Sequence, residues 1–246
     1  MVGTTGMIPF ETTVLKRGPL SPLIVKLGLY GQLSDHDVDT IGDLRYTAID
    51  YRRNQRITTL SVIPPCVYVM VSGLACLSVL ASDGRRQITR FLLPGDFCNV
   101  FDAEPIGSIE GIDILAPTRM AAVPAGVFHQ LGASPTMHDV LMALVTNATA
   151  AARKTIGSLG LGNARGRIAF LLYEFAQTMV VRGLIGAPTD PLPLRQDHIA
   201  DATGLTNVHV NRMIAQLRRD RILSGSGKVL EIADMTGLRS IAGIKW

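Results

Sequence analysis

The hydrophobic period of this 246-residue chain changes once, near Pro135, and that change constrains the fold more than any other feature. Between Gln55 and about Val127 the apolar residues fall in short β-rich runs at 56–63, 67–71, 75–80, 87–93, 97–101 and 120–123. Pro64-Pro65, Ser72-Gly73, Ser82-Asp83-Gly84 and Pro94-Gly95 separate them, supplying the fixed or positive φ that tight turns use. Short strands at this spacing predict an antiparallel barrel or jelly roll. After Pro135, Met137, Leu141, Leu144, Ala148, Ala151 and Thr155 recur at alternating steps of four and three, a heptad seam.

A seam of that length, with small Ala148 and Ala151 allowing close approach, favours a partner helix and hence a homodimer. The competing reading packs the helix on its own barrel. Gly157, Gly160 and Gly162 then predict a break and a hinge. A second amphipathic helix is expected over 164–181, burying Ile168, Leu171, Leu172, Phe175 and Met179. The Gly- and Pro-rich loop 183–193 follows it. Residues 1–32, rich in Gly, Pro and Thr without a period, read as a flexible arm. Ser34 is a good N-cap for a short helix with Val38 and Ile41 inward. The expected organisation is therefore an arm (1–32), a β-roll (33–135), a dimerisation helix with hinge (136–160) and a carboxy-terminal domain (161–246). The fold class is α+β.

Charge is distributed unevenly between these parts. Residues 1–160 carry 13 Lys and Arg against 13 Asp and Glu, whereas 161–246 carry 11 against 7. The surplus suits a polyanion-facing domain attached to a neutral one. An apolar content of 47% and a mean hydropathy of +0.28 exclude general disorder. No run reaches the roughly 18–20 apolar residues of a bilayer span, and no signal-peptide pattern opens the chain, so a cytoplasmic protein without membrane contact is expected. Cys66, Cys76 and Cys98 have no C-x-x-C spacing, which points to small buried hydrophobes rather than a disulfide framework or metal site.

Residues 194–217 hold two helical patterns joined by a turn at 203–206, the spacing of a helix-turn-helix. Ala200 is small where the helices approach, Gly204 suits a positive φ, and Val210, ten residues after Ala200, turns back inward. The second helix is expected over 206–219, capped by Thr206, with Val210, Met213 or Ile214, and Leu217 buried. Asn207, Val208, Asn211 and Arg212 are left on the opposite face. In a major groove, asparagine matches adenine, arginine matches guanine, and valine can touch a thymine methyl. The competing reading is a plain solvated face. His209 lies at the first turn, in reach of phosphate or solvent. Arg218, Arg219 and Arg221 make the far end basic, which suits phosphates and also the negative end of the helix dipole. Ile222-Leu223, a turn at 224–227 and the run 228–232 read as a hairpin, the wing, with Lys228 near its tip. Asp234 could cap a last helix. The candidate DNA-binding residues are thus Thr206, Asn207, Val208, His209, Asn211, Arg212, Arg218 and Lys228.

The barrel segment Gly95-Asp96-Phe97, the seam helix, and the run Ile199-Ala-Asp-Ala-Thr-Gly-Leu-Thr followed by Val210-Asn-Arg resemble the Crp/Fnr superfamily of bacterial transcription regulators over about residues 33–246. The resemblance implies a β-roll (jelly-roll) sensor, a dimerisation helix and a winged helix-turn-helix, acting as a homodimer on a palindromic operator in double-stranded DNA. If the regulator activates, RNA polymerase becomes a further partner. Arg212 falls on the family's base-reading arginine, with Asn207 and Val208 at the two earlier contact positions. Val208 departs from the polar residue common there, so an altered half-site is expected. Members that bind cyclic nucleotides carry a ribose-binding Glu and an Arg-Ser/Thr pair where this chain has Val100, Ser108 and Ile109. Residues 97–117 contain no Lys or Arg to meet a phosphate. Neither cyclic nucleotide nor any other cofactor is therefore expected.

Other readings compete with that one. No cysteine precedes Cys66, against an iron–sulfur cluster of the family's amino-terminal type. A cyclic-nucleotide-responsive regulator of the same fold and, through Cys76 in a barrel strand, a haem-responsive one stay among the alternatives. A metal-dependent barrel enzyme would need strand-borne ligands, yet His36, His129, His138, His198 and His209 all lie outside 56–127. No G-x-S-x-G elbow is present. An enzyme is not expected. An interaction module that keeps the winged helix as a scaffold is the remaining alternative from another class.

Overall fold

The computed structural model describes residues 18–58, 66–98 and 110–243. Its strands form two four-stranded antiparallel sheets. One orders β1 (Thr47–Tyr51), β8 (Thr118–Pro124), β3 (Cys66–Ser72) and β6 (Phe97–Cys98). The other orders β2 (Arg56–Thr58), β7 (Glu110–Ile114), β4 (Ala75–Leu80) and β5 (Arg86–Leu92). The expected roll is present, with two strands, β1 and β7, that the sequence pattern does not single out. The expected runs 56–63 and 97–101 extend beyond the described residues.

Alternation along the strands sorts side chains between three cores. Tyr68 and Met70 of β3, Ala75 of β4, Leu92 of β5, Ile112 and Ile114 of β7, and Met120 and Ala122 of β8 fill the space between the sheets. The odd-numbered Val67, Val69, Ala121 and Val123 leave the first sheet on its outer face and meet helices. Cys76 and Ile88 leave the second sheet outward, against the carboxy-terminal part of the chain. Both outer faces are covered, which is why β3 reads as a nearly continuous apolar run.

The covering helices are α1 (Ser21–Gly28), α2 (Asp35–Gly42), α3 (Ala125–His129) and the first turns of α4 (Pro135–Leu161). Ser34 caps α2 through a reciprocal box with Asp37, and Val38 and Ile41 are buried, as their spacing predicts. The flexible arm is corrected over its second half. Pro22 sits at the start of α1, a position that tolerates its missing N–H, and Leu23, Ile24 and Leu27 are buried on the roll. The anchor is Lys26, only 2% exposed, whose Nζ lies 2.7 Å from Asp96 Oδ1 and 4.7 Å from the centre of the Phe97 ring.

The hinge is corrected too. Gly157 and Gly160 lie inside α4, and only Gly162 ends it. Nothing stands within 4 Å of a Cβ built at Gly157 or Gly160, so these glycines weaken the helix without interrupting it. The predicted seam divides, its first part packed on the chain's own body and Ala148 and Ala151 exposed. Met137 and Leu144 are buried on the chain's own body, while Met142, Val145 and Ile156 are 53%, 43% and 69% exposed. With Thr149 and Ala152 they make a second stripe at steps of three and four along an exposed stretch.

Asn163 caps α5 (Ala164–Val181), which crosses from α4 to the outer face of the second sheet and buries Ile168, Leu172, Phe175 and Met179. Phe175 meets Phe91 of β5 edge to face, with centroids 5.3 Å apart. Just past α5, Arg182 reaches the same Asp96 that holds Lys26, at 3.0 and 3.3 Å, and Arg90 joins it at 2.8 Å. The carboxylate also accepts the Leu93 N–H at 2.8 Å. Burial alone would raise the Asp96 carboxyl. The charges of Lys26, Arg182 and Arg90 outweigh it and hold the group far below the usual carboxylate range. Burial and the two guanidinium neighbours, against the pull of Asp96, leave the Lys26 ammonium at about 8.

Gly95 lets this cluster form. Its φ is +90°, and a Cβ there would stand 2.2 Å from the Pro22 carbonyl oxygen. Gly84 has a similar φ of +82° but open space around it. Gly95→Ala should therefore cost more than ~2 kcal/mol in urea unfolding, against about 1 kcal/mol for Gly84→Ala. Equal costs would show that α1 does not press on the turn.

Candidate nucleic-acid interface

The expected helix pair is α6 (Gln196–Thr203) and α7 (Asn207–Arg219). At the start of α6 the Arg195 backbone N–H donates to His198 Nδ1 at 3.3 Å, and burial lowers the imidazole's pKa, favouring the neutral ring that can accept it. At its end Gly204 takes φ +67°, the left-handed conformation that lets the Leu205 N–H return to the Ala200 carbonyl at 3.1 Å. Thr206 then caps α7, accepting the His209 N–H at 3.3 Å. The turn chemistry read from Ala200, Gly204 and Thr206 is present at each offset.

Val210, Ile214 and Leu217 are buried at 1% exposure or less, and Met213 is half-buried, so Ile214 takes the core position. This stripe belongs to the same apolar cluster as Ile199 and Ala200 of α6 and Phe170 and Phe175 of α5. The opposite face carries Asn207, Val208, Asn211 and Arg212, all exposed, with Val208 at 81%. Among the described residues no side-chain hydrogen bond or ion pair ties Asn207, Asn211 or Arg212 to another group. An amide, a methyl-bearing side chain, a second amide and a guanidinium thus protrude together, the kinds of group that read base edges.

The wing pairs β9 (Leu223–Ser224) with β10 (Glu231–Ile232), and an isolated bridge from Leu192 to Leu230 adds the loop before α6. Lys228 is exposed between the strands. Asp234 caps α8 (Met235–Ala242), as expected. Arg218 holds a position that sequence spacing does not reveal: its Nη2 donates to the carbonyls of Gly227 at 3.3 Å and Val229 at 2.7 Å. One nitrogen of its fork thus holds the wing. Arg165, also missed, bonds Asp220 at the end of α7 at 2.6 Å.

Strand β5 steadies the helix pair from the roll. Arg86 donates to Asp201 of α6 at 2.6 and 2.8 Å and lies 3.5 Å from Asp113, while Gln87 donates to the Ala202 carbonyl at 3.2 Å. These partners stand 115 residues apart in the chain, so no local pattern marks them. Cys76 is fully buried at this boundary, and burial, aided by the charge of Asp113, pushes its thiol up to about 12. Among the described residues no group of His, Cys, Asp and Glu is placed to hold a metal ion, and no helix is long and apolar enough to cross a membrane.

Comparison with known proteins places these features among relatives. A family model described as a Crp-like helix-turn-helix domain matches residues 166–241. The transcriptional activator protein FnrL of Cereibacter sphaeroides is 32% identical over 165 residues, which span 65% of each chain. The nitrogen fixation regulation protein FixK of Bradyrhizobium diazoefficiens is 30% identical over 182 residues, covering 70% of this chain and 73% of that one. Among solved structures, FixK2 from Bradyrhizobium japonicum superposes with a TM-score of 0.71 at 26% identity, over 82% of this chain and all of that one.

The Arg218 contacts give a direct test of local structure. Arg218→Ala should speed amide exchange at 228–231 by about tenfold while global stability moves by less than ~1 kcal/mol. Unchanged exchange would remove the clamp.

Proposed function

The chain belongs to the Crp/Fnr superfamily of transcription regulators, and from that premise we propose that it binds a two-fold symmetric operator in double-stranded DNA as a homodimer. The observation that carries this reading is the face of α7 formed by Asn207, Val208, Asn211 and Arg212, exposed and without partners among the described residues, on a helix fixed from behind. Arg212 pairs with a guanine through its fork, Asn207 and Asn211 meet base edges or the nearby backbone, and Val208 contacts a thymine methyl. Thr206, His209 and Lys228 border that face and meet phosphates, with Arg218 fixing the wing that carries Lys228.

The dimer forms through α4. Its stripe of Met142, Val145, Thr149, Ala152 and Ile156 is exposed and apolar for much of its length, which suits a second copy of the same helix. Two-fold symmetry then sets the recognition helices about one helical turn apart on one face of the duplex. The protein acts in the cytoplasm, where an activator would also meet RNA polymerase, and no residue is assigned a catalytic role.

Cyclic nucleotide has no part in this reading. Val100, Ser108 and Ile109 lie outside the described residues; residues 97–117 contain no Lys or Arg to meet a phosphate, and apolar side chains pack between the sheets. Haem ligation by Cys76 is disfavoured by its position. The thiol is buried against the carboxy-terminal part and held protonated.

Selection of bound sequences from random duplexes tests the proposal. A palindromic consensus is expected, and Arg212→Ala should weaken its binding by about 10- to 100-fold, corresponding to ~1–3 kcal/mol, and relax preference at one base pair of each half-site. No consensus, or equal affinity of Arg212→Ala, would overturn it.

A further inference from the structure

A cavity of about 640 Å³ lies between the roll, α4 and α5. It is distinct from the space between the two sheets, which side chains fill. Four cations line it, Lys26, Arg90, Arg167 and Arg182, against two carboxylates, Asp96 and Glu174. Apolar groups make up most of the remaining wall, among them Phe91, Leu171 and Phe175. The volume falls within the roughly 300–1,000 Å³ of small-molecule sites, and the combination of apolar walls with convergent polar groups is what such sites share.

The charge arrangement narrows the ligand. Asp96 is fully enclosed and serves three cations at once, so the cluster carries more positive charge than its own carboxylate neutralises. Arg90 gives one nitrogen to Asp96 and remains 40% accessible along the cavity. A guanidinium so placed can donate its remaining N–H groups to a second carboxylate in the planar geometry that arginine favours. An apolar chain attached to that carboxylate covers the aromatic and aliphatic wall.

We propose that this cavity binds an amphipathic monocarboxylate, whose head meets Arg90 and Arg182 beside Asp96 and whose apolar body lies between α4 and α5. The proposal rests on the regulator reading only for its consequence. Arg182 follows α5 and Asp96 belongs to the roll, so a ligand competing for Arg182 biases the contact between the roll and the DNA-reading part.

Titration calorimetry of the full chain without DNA tests the site, with octanoate as the probe and 1-octanol as its neutral counterpart. Octanoate should bind once per chain and octanol at least about tenfold more weakly, the difference expected of a charge-assisted hydrogen bond. Arg90→Gln should weaken octanoate by about tenfold and leave octanol unchanged, whereas Arg85→Gln, at an exposed arginine away from the cavity, should change neither. Equal affinities for the two probes, an unaltered Arg90→Gln variant, or no binding at about 10 mM octanoate would each overturn the proposal. DNA affinity measured on the same samples separates the two readings. Loss of octanoate binding with DNA binding intact removes only the ligand site, and absence of DNA binding removes the operator reading instead.

Discussion

The buried carboxylate of Asp96 is the interaction on which the arrangement of this molecule depends. It joins α1 through Lys26, β5 through Arg90, its own turn through the Leu93 N–H, and the segment after α5 through Arg182. An isolated carboxylate at that depth would be expensive to bury, and three cations with a backbone donor offset the cost. Removing any one takes from the buried carboxylate a partner that helps offset its desolvation. The linkage follows from the same geometry. The carboxyl titrates far lower folded than unfolded, so its contribution is complete above the unfolded value of about 4 and drains away as pH falls below it. A second bridge, Arg86 between Asp113 of the roll and Asp201 of α6, joins the same two parts. The apolar contact of Cys76 and Ile88 with the carboxy-terminal cluster lies at this boundary as well.

What the sequence disclosed was local. The cap at Ser34, the turn at Gly204, the cap at Thr206 and the buried spacing of Val210 and Leu217 depend on residues within a few positions of one another. What it concealed was long-range. Residues 21–28 lie among Gly and Pro and show no period long enough to announce a helix, and their burial comes from Lys26 reaching a carboxylate 70 residues away. Strand β1 is only half-apolar, and its register comes from β8, which pairs Thr47 with Ala122 and Tyr51 with Thr118. Gly157 and Gly160 suggested a break because glycine weakens helices, yet a continuous helix of 27 residues absorbs both. The wing contacts of Arg218 were hidden as well, because its partners are main-chain carbonyls that carry no sequence signal.

These features give a physical route from one end of the molecule to the other. α4 runs unbroken from the roll to Leu161, and α5 returns at once along the outer sheet to Arg182. The Asp96 cluster thus meets, through Arg182, the end of the helix on which α6 and α7 pack. The route is a set of charge pairs and packed faces, each with a definite partner.

In the proposed complex α7 enters the major groove of duplex DNA twice, once from each protomer. Guanine-N7 methylation interference on a duplex recovered by selection tests it most directly, because N7 lies in the major groove alone. The account predicts two interference patches about one helical turn apart on one face, both weakened in Arg212→Ala. Interference confined to minor-groove adenine positions, or a single patch unaffected by that substitution, would contradict it.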